Sequence, residues 1–244
     1  ITLANYTKDL IQDQLYVGSY LLLSFLSFMP GVFLFFFKNV ENIQEASLDE
    51  ENVRNLKSIV LQPRFLQAIT AAAFAYAVMS FLMTATPLSM HVNENMSLKE
   101  TGVVLQFHVV AMFLPSLITG NLIKKYGHSK IIYGGVLFFF ITVFLSLFEQ
   151  TYLNYMLSLI FLGLGWNFLF ISGTSLVVLT YNKREKFKVQ GINDLIVFST
   201  MALASLSAGI LLNSIGWKMM NLICIPFLIL IILVSFVADK KSDS

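Results

Sequence analysis

Residues 152–179 read YLNYMLSLIFLGLGWNFLFISGTSLVVL and contain no charged side chain. A helix needs about 20 predominantly apolar residues to cross the hydrocarbon core of a bilayer, and this stretch is longer than that. Its few polar side chains are uncharged and are spread among Leu, Phe, Ile and Val. The stretch therefore predicts a transmembrane helix.

The overall composition indicates that the whole chain is a membrane protein. Hydrophobic residues make up 57% and charged residues 12% of the sequence, the mean hydropathy is +0.75, and 23 residues are Phe. Soluble domains carry about a quarter charged residues, so this chain has too few charges to cover a water-exposed surface. The net charge of +2 is too small to indicate a nucleic-acid partner. With one cysteine and no Cys/His spacing, neither a disulfide framework nor a metal site is expected, and we expect no cofactor.

Seven apolar runs predict an all-α membrane protein with seven transmembrane helices. A β-barrel is not expected, because the runs do not alternate between polar and apolar residues. From the first to the seventh, the predicted spans are 15–37, 65–90, 101–123, 131–148, 152–179, 191–212 and 217–237.

The Lys and Arg residues fall mainly in every second loop, which predicts the orientation of the chain. These residues favour the cytoplasmic side of a membrane, so we expect the N-terminus outside and the C-terminus in the cytoplasm. The cytoplasmic loops then carry Lys38, Arg54, Lys57, Arg64, Lys124, Lys125, Lys130, Lys183, Arg184, Lys186, Lys188, Lys240 and Lys241, and the outer loops carry Lys8, Lys99 and Lys218.

One long loop divides the first span from the six that follow. We therefore expect an outer segment with one span at 1–37, a central cytoplasmic loop at 38–64 and a six-helix bundle at 65–244. In this loop, Ser47 and Glu50 form a capping-box pattern, and apolar residues follow at helical spacing. The loop thus forms either a short surface helix or a polar linker.

The six later spans split into two triplets of opposite orientation. Residues 65–148 enter the membrane from the cytoplasm and residues 152–237 enter it from outside, which is the arrangement that an inverted repeat requires. No sequence similarity between the triplets supports the repeat, so it rests on topology.

Polar side chains within the spans are distributed unevenly. Polar groups at membrane depth usually face a protein interior or a wet cavity. The fourth and seventh spans carry few of them and are expected to face lipid, whereas the second, third, fifth and sixth spans are richer. The candidates for lining a substrate cavity are Tyr76, Ser80, Thr84, Gln106, His108, Trp166, Asn167 and Thr174. Some of these residues also have an interpretation without a cavity. The hydroxyl groups would bond to a carbonyl of the preceding turn of their own helix, and His108 would be a neutral imidazole bonded to a neighbouring helix.

Asn193 and Asp194 are the candidates for coupling or gating near the start of the sixth span. Asp194 would carry a coupling proton or pair with a mobile basic loop. In the alternative interpretation it interacts with the helix dipole and with Lys186 and Lys188.

Three glycines lie along the fifth span, at positions 163, 165 and 173. Small residues allow close packing of membrane helices, and glycines also occur in the broken helices of transporters. Packing is the simpler interpretation.

The loop after the third span, Gly120-Asn-Leu-Ile-Lys-Lys-Tyr-Gly-His-Ser-Lys130, resembles the signature loop of the major facilitator superfamily. The family carries this loop between its second and third helices, and a degenerate second copy lies between helices eight and nine. Lys124 stands where the family has Asp, which fits the second copy. The segments 163–168 and 188–194 also look like a branch of bacterial permeases. The residues that match the signature are Gly120, Leu122, Lys125, Gly127 and Lys130.

The resemblance implies that the seven spans are family helices six to twelve, and that five N-terminal helices of the same protein are missing from the chain. It also implies a transporter of a small-molecule substrate in the bilayer of a bacterial inner membrane. A proton-coupled permease or exporter that works by alternating access is expected. The signature loop and Asp194 would then form the cytoplasmic gate.

The main alternative is a complete seven-helix, receptor-like membrane protein. The predicted topology, with seven spans and the N-terminus outside, matches that of receptors and photoreceptors. However, the last span has no lysine to hold a retinal, and the outer loops have no cysteine pair. An enzyme is not expected, because no clustered carboxylates and no Ser-His pair are present, and no filter-like segment indicates a channel.

Overall fold

The structure is a computed structural model that describes residues 6–7, 10–11, 16–36 and 53–242. The chain divides into two compact units, 1–52 and 53–244. The division falls within the predicted central loop, and most of that loop, including Ser47 and Glu50, lies outside the described residues. In the first unit, α1 (Val17–Phe36) is an apolar helix of 20 residues.

The second unit is a helical bundle. Within the described residues, the helices of this unit are α2 (Leu56–Val60), α3 (Pro63–Leu88), α4 (Leu98–Phe113), α5 (Ser116–Tyr126), α6 (His128–Ser146), α7 (Tyr152–Val178), α8 (Lys186–Ile223) and α9 (Ile225–Ser242). A turn of π-helix, Ser89–Asn93, follows α3, two residues after Pro87.

The all-α membrane fold predicted from the sequence is confirmed. The described residues contain six continuous helical stretches that are long and apolar enough to cross a membrane. The last stretch, Lys186–Lys241, has 56 residues, which at 1.5 Å per residue is far longer than a hydrocarbon core of about 30 Å. Gly216, with φ 74° and ψ 170°, breaks it, so the sixth and seventh predicted spans lie on either side of this residue.

Pro115 and Asn55 each set the limit of a helix. Pro115 has no backbone N–H to donate, and the third span is divided there into α4 and α5. The end of the central loop forms the short helix α2, whose N-cap is Asn55, with the side-chain oxygen accepting from the N–H of Lys57.

The helices of the two triplets pack in the same pattern. Helix α3 packs against α8 and α9, and α7 packs against α4 and α6. The second, third and fourth spans correspond in order to the fifth, sixth and seventh. Under this correspondence, the contacts of α3 with α8 and α9 become the contacts of α7 with α4 and α6. Helices α3 and α7 also pack against each other, as do α6 and α9. The pattern of contacts is therefore the one expected if the two triplets form an inverted repeat.

Helix α7 approaches its neighbours closely through its glycines. A Cβ on Gly163 would lie 2.7 Å from the carbonyl oxygen of His108 in α4, and a Cβ on Gly173 would lie 2.7 Å from the carbonyl oxygen of Ala68 in α3. A Cβ on Gly165 would overlap the ring of Phe139 in α6. The packing interpretation of these glycines is therefore correct.

Helices α6 and α9 each bury one face and expose the other. In α6, Val136 and Phe139 are buried while Leu137 and Phe144 are exposed. In α9, Leu228 is buried and Phe236 is exposed. Because the exposed faces are apolar, lipid is the medium that suits them.

The ends of several helices are joined by polar contacts at one end of the bundle, which we call the basic end. It is the end where α5 finishes, α6 begins and α9 finishes, and it carries Lys124, Lys125, Lys130, Lys240 and Lys241.

One of these contacts is a clamp between Arg54 and Glu185. The Arg54 Nη2 atom donates to Glu185 Oε2 at 2.6 Å and to the Thr180 carbonyl oxygen at 3.0 Å, and Arg54 Nε donates to Glu185 Oε1 at 3.0 Å. The Glu185 side chain is only 2% exposed. The clamp therefore ties the end of the central loop to the turn between α7 and α8.

Hydrogen bonds from Arg54 hold the pKa of Glu185 at about 2, although burial raises it. The carboxylate is thus charged at physiological pH. Because the pKa is lowered by folding, the stability that the clamp contributes is present above the ordinary value of 4.5 and is lost as the pH falls through about 2.

We predict that Gly163→Ala destabilises the bundle. The added methyl group would have to push α4 away from α7, and such overpacking costs about 1–3 kcal/mol in the free energy of unfolding. Gly191→Ala is the matched control, because a Cβ at Gly191 meets nothing within 4 Å. The measurement is the midpoint of thermal unfolding of the native protein in detergent. Equal midpoints for the two variants would contradict the role of Gly163.

Candidate functional site

Five aromatic side chains from four helices contact one another, and we call them the aromatic cluster. They are Tyr76 of α3, Phe113 of α4, Trp166 and Phe170 of α7, and Phe198 of α8. The Tyr76 ring lies edge-on to Trp166 at 5.3 Å and to Phe170 at 5.0 Å between centroids, while Trp166 and Phe170 stack at 4.8 Å. Phe113 and Phe198 extend the cluster at 6.0 Å from Trp166 and 6.1 Å from Tyr76.

The aromatic cluster is buried on one side and open on the other. Trp166 is 5% exposed, whereas Phe113 is 59% and Phe198 is 51% exposed. The Trp166 Nε1 atom has no hydrogen-bond partner among the described residues. The open side therefore presents aromatic rings, with Tyr76 and Phe170 half-buried between them.

The aromatic cluster lies at the middle of the membrane-spanning helices. Tyr76 and Phe198 are 13 and 12 residues from the starts of α3 and α8, and Trp166 and Phe113 are 14 and 15 residues from the starts of α7 and α4. At 1.5 Å per residue these distances are all about 20 Å, half of a bilayer of about 40 Å including headgroups. Since α3 and α8 begin at one end of the bundle and α4 and α7 at the other, the four helices meet near the midplane.

Three predicted cavity residues lie on the same helices as Tyr76 and Phe113 of the aromatic cluster. Ser80 is half-buried, one turn after Tyr76 on the same helix. Gln106 is half-buried and lies seven residues before Phe113, so it shares a face of α4 with that ring. Thr84 is exposed, and its hydroxyl lies 3.0 Å from the hydroxyl of Ser205, which joins α3 to α8.

Asn167 lies in the packing between helices, although it follows Trp166 directly in the chain. Its Nδ2 atom donates to the Met112 carbonyl oxygen at 2.6 Å and to Ser116 Oγ at 2.7 Å, and its Oδ1 atom accepts from Thr119 Oγ1 at 2.6 Å. These partners flank the break between α4 and α5 at Pro115. The fully buried Asn167 side chain thus satisfies polar groups at a broken helix, which would otherwise be costly in the membrane.

His108 and Thr174 are also bonded within the helical packing. The Nδ1 atom of the buried His108 lies 2.7 Å from the Leu159 carbonyl oxygen, and its Nε2 atom has no partner among the described residues. The Thr174 hydroxyl donates to the carbonyl oxygen of Phe170 at 2.8 Å, one turn earlier. The structure therefore shows the bonding that the alternative interpretations of both residues expect.

The coupling candidates differ in their surroundings. Asn193 is buried, and its Nδ2 atom donates to Asp194 Oδ1 at 3.0 Å. Asp194 is exposed and lies four residues before Phe198, on the same face of α8. The carboxylate thus lies one turn from the aromatic cluster, toward the basic end.

The signature loop forms the junction of α5 and α6. Gly127 has φ 85° and ψ 159°, a conformation that glycine adopts without strain. Lys125 extends over the Tyr126 ring at 5.1 Å, Leu122 is half-buried, and Gly120 and Lys130 are exposed.

A polar network beside this loop was not predicted. Asp239 of α9 accepts from Arg64 Nη1 at 2.9 Å, from Ser129 Oγ at 2.5 Å and from Tyr133 Oη at 3.1 Å. Gln67 completes the network by donating to Ser129 at 2.9 Å. The network joins α3, α6 and α9 at the basic end.

The sequence analysis also missed three rings of the aromatic cluster. Helical spacing from the polar candidates would have found them, because Phe113 follows Gln106 by seven residues, and Phe170 and Phe198 follow Trp166 and Asp194 by four. Phe is abundant throughout this chain, so its occurrence alone gave no signal. Among the described residues, no group of three His, Cys, Asp or Glu side chains is placed to hold a metal ion.

Comparison with known proteins identifies the family. Residues 14–185 and 68–244 match the model of the Major Facilitator Superfamily. The riboflavin transporter RfnT of Brucella anthropi is 35% identical over 227 residues, which cover 93% of this chain and 57% of the transporter. Two uncharacterized MFS-type transporters of Bacillus subtilis, YdeG and YddS, are 29% and 31% identical over 71% and 64% of this chain.

The chain spans between 37% and 57% of the length of these relatives. The family model, by contrast, matches most of the chain, and the predicted resemblance is confirmed. The chain is an integral membrane protein and belongs to the Major Facilitator Superfamily.

Proposed function

We propose that the chain is part of a secondary transporter that moves a small solute by alternating access. The observation that carries this proposal is the aromatic cluster, which lies near the midplane where the two inverted triplets meet. Substrate sites of secondary transporters lie at such positions. Membership of a transporter family disfavours the receptor-like alternative and agrees with the prediction that the chain is not an enzyme. The rest of the site would come from five further helices of the same protein, in line with the relatives' greater length.

We propose that the substrate is a planar aromatic molecule, with riboflavin as the first candidate. Aromatic rings prefer edge-on or offset-stacked contacts with other rings, and the open side of the aromatic cluster offers such contacts. The five side chains are uncharged, which suits a neutral ring system. The relative from Brucella anthropi, named a riboflavin transporter, supports the choice.

We predict that Phe198→Leu in the native protein weakens riboflavin uptake into membrane vesicles. Loss of one ring contact, worth about 0.5–1.5 kcal/mol, would raise the KM about 2- to 13-fold. Phe236→Leu is the matched control, because this ring is 62% exposed on α9 and has no ring contact in the described residues.

Two results would contradict the substrate proposal in different ways. Wild-type vesicles that take up no riboflavin would exclude this substrate. Uptake with the same KM in Phe198→Leu and in the wild type would exclude the aromatic cluster as the binding site.

We propose that transport is coupled to protons through Asp194. Its exposed carboxylate on α8, one turn from the aromatic cluster, is placed to exchange a proton with water in an open cavity. Asn193, which donates to it, would hold the carboxylate in position. Protons are the usual coupling ion in the family that the signature loop resembles.

We predict that Asp194→Asn removes the response of uptake to an imposed pH gradient but leaves the exchange of labelled and unlabelled substrate. The amide keeps the shape of the side chain but binds no proton. Glu149→Gln, which changes an exposed carboxylate before α7, is the control. A normal pH-driven uptake by Asp194→Asn would exclude the coupling role.

We also infer that the basic end of the bundle faces the cytoplasm and that the membrane is the bacterial inner membrane. The distribution of Lys and Arg supports this orientation. In a version of the native protein with every cysteine replaced, Cys224 among them, Lys99→Cys should react with an impermeant maleimide added to intact cells, and Lys188→Cys should react only after the membrane is opened. The reverse pattern would invert the orientation.

A further inference from the structure

The two triplets of helices have the same spacing along the chain. Helices α3 and α7 have 26 and 27 residues and begin at Pro63 and Tyr152, which are 89 residues apart. Gly127 and Gly216, which join the last two spans of each triplet, are again 89 residues apart. An offset of 89 residues therefore aligns the triplets from their first helix to their last junction.

One segment is repeated under this offset. Residues 112–127 read MFLPSLITGNLIKKYG and residues 201–216 read MALASLSAGILLNSIG, with seven of the 16 positions identical. The identical pairs within the signature loop are Gly120 with Gly209, Leu122 with Leu211 and Gly127 with Gly216. The expectation that the triplets share no sequence similarity is therefore wrong for this segment, because the comparison needs the offset that the helices supply. We call residues 209–216 the repeated junction.

The backbone of the repeated junction matches that of the signature loop. Gly127 has φ 85° and ψ 159°, and Gly216 has φ 74° and ψ 170°. This combination of angles is essentially restricted to glycine, and within the described residues these two are the glycines with positive φ. Each of them ends one span and starts the next. The two junctions therefore have the same local fold, at opposite ends of the bundle.

The two junctions differ in charge. Lys124 and Lys125 of the signature loop correspond to Asn213 and Ser214, and residues 209–216 carry no charged side chain. Loss of lysine is what the positive-inside rule expects when a cytoplasmic loop is repeated on the outer side of the membrane. The repeated junction thus combines the backbone of the signature loop with a composition suited to the outside.

The first glycine of each junction shares a helix face with the aromatic cluster. Gly120 follows Phe113 by seven residues and Gly209 follows Phe198 by 11 residues, which are about two and three helical turns. Because α4 and α8 run in opposite directions, the two glycines lie on opposite sides of the aromatic cluster. At 1.5 Å per residue they are roughly 10 and 16 Å from it along the helices. They therefore flank the two routes that lead from the open side of the aromatic cluster.

Packing within the bundle does not require glycine at either of these positions. A Cβ on Gly120 would meet nothing within 4 Å, and a Cβ on Gly209 would meet only Leu88 Cδ1, at an ordinary contact distance of 3.9 Å. Gly163 differs, because a Cβ there would overlap α4. Glycine leaves a flat helix surface on which another helix can pack closely, and this surface faces away from the described helices at both positions.

We propose that the repeated junction is the outer gate of the transporter, and that the outer route closes when other helices of the protein pack against Gly209. The inference rests on the alternating access proposed above, in which one end closes while the other opens. Gly216 is a positioning residue, because its backbone sets the direction in which the chain leaves the gate. The signature loop has the corresponding role at the basic end.

The experiment measures access to the aromatic cluster from each side of the membrane. Phe198→Cys is placed in the native protein with every other cysteine replaced, and an impermeant maleimide is added to right-side-out or inside-out vesicles. Gly209→Leu should prevent closure of the outer gate and raise the ratio of outer to cytoplasmic labelling at least about fivefold, which corresponds to about 1 kcal/mol. Gly120→Leu should lower the same ratio.

Ser214→Leu is the matched control. It adds the same side chain to an exposed position of the repeated junction, five residues from Gly209 and therefore on another face of the helix, and should leave the ratio unchanged. Gly209→Ala, whose methyl group fits beside Leu88, should shift the ratio in the same direction as Gly209→Leu and tests the gate if the larger side chain prevents folding.

The outcomes separate the gate from alternating access. Labelling of Phe198→Cys from one side only, in the reference protein and in every variant, would overturn alternating access and the gate with it. With labelling from both sides, an unchanged ratio in both Gly209 variants, an equal shift in Ser214→Leu, or a shift in the same direction in Gly120→Leu would overturn the outer gate alone.

Discussion

The close approach of α7 to its neighbours is the constraint on which the bundle depends. Gly163 and Gly173 let the backbones of α4 and α3 come within the space that a side chain would occupy, and Gly165 accommodates the ring of Phe139. In lipid, the hydrophobic effect does not drive helices together, so association relies on close van der Waals packing and interhelical hydrogen bonds. Helix α7 has both, because Asn167 adds hydrogen bonds to the break between α4 and α5.

This packing positions the candidate site. Trp166 lies between Gly163 and Gly173 on α7, so the helices that approach these glycines bring Tyr76 and Phe113 to its ring. The matching contacts of the two triplets place α8 beside α3, which adds Phe198 to the aromatic cluster. The midplane position of the aromatic cluster thus follows from the packing of four helices. At the basic end, Arg54–Glu185 and Arg64–Asp239 hold the ends of the helices together in a region where water is close.

The sequence predicted the spans to within a few residues, since hydropathy summed along a run of residues decides whether a helix enters lipid. It also singled out Trp166 and Tyr76, which the structure brings together. It treated Asn167 as equivalent to its neighbour Trp166, although the two side chains point to different partners. The clamp of Arg54 to Glu185 could not be predicted, because 131 residues separate its two side chains and neither lies in a motif.

The sequence by itself therefore determined the class of the protein, the number and limits of its spans, the alternation of basic loops and the resemblance to its family. Only the tertiary structure decided which face of each helix meets the aromatic cluster, a neighbouring helix or lipid. The physical reason is that both lipid and the protein interior are apolar. A membrane helix has no polar outer face to mark its orientation, so the face that it buries depends on the helices packed against it.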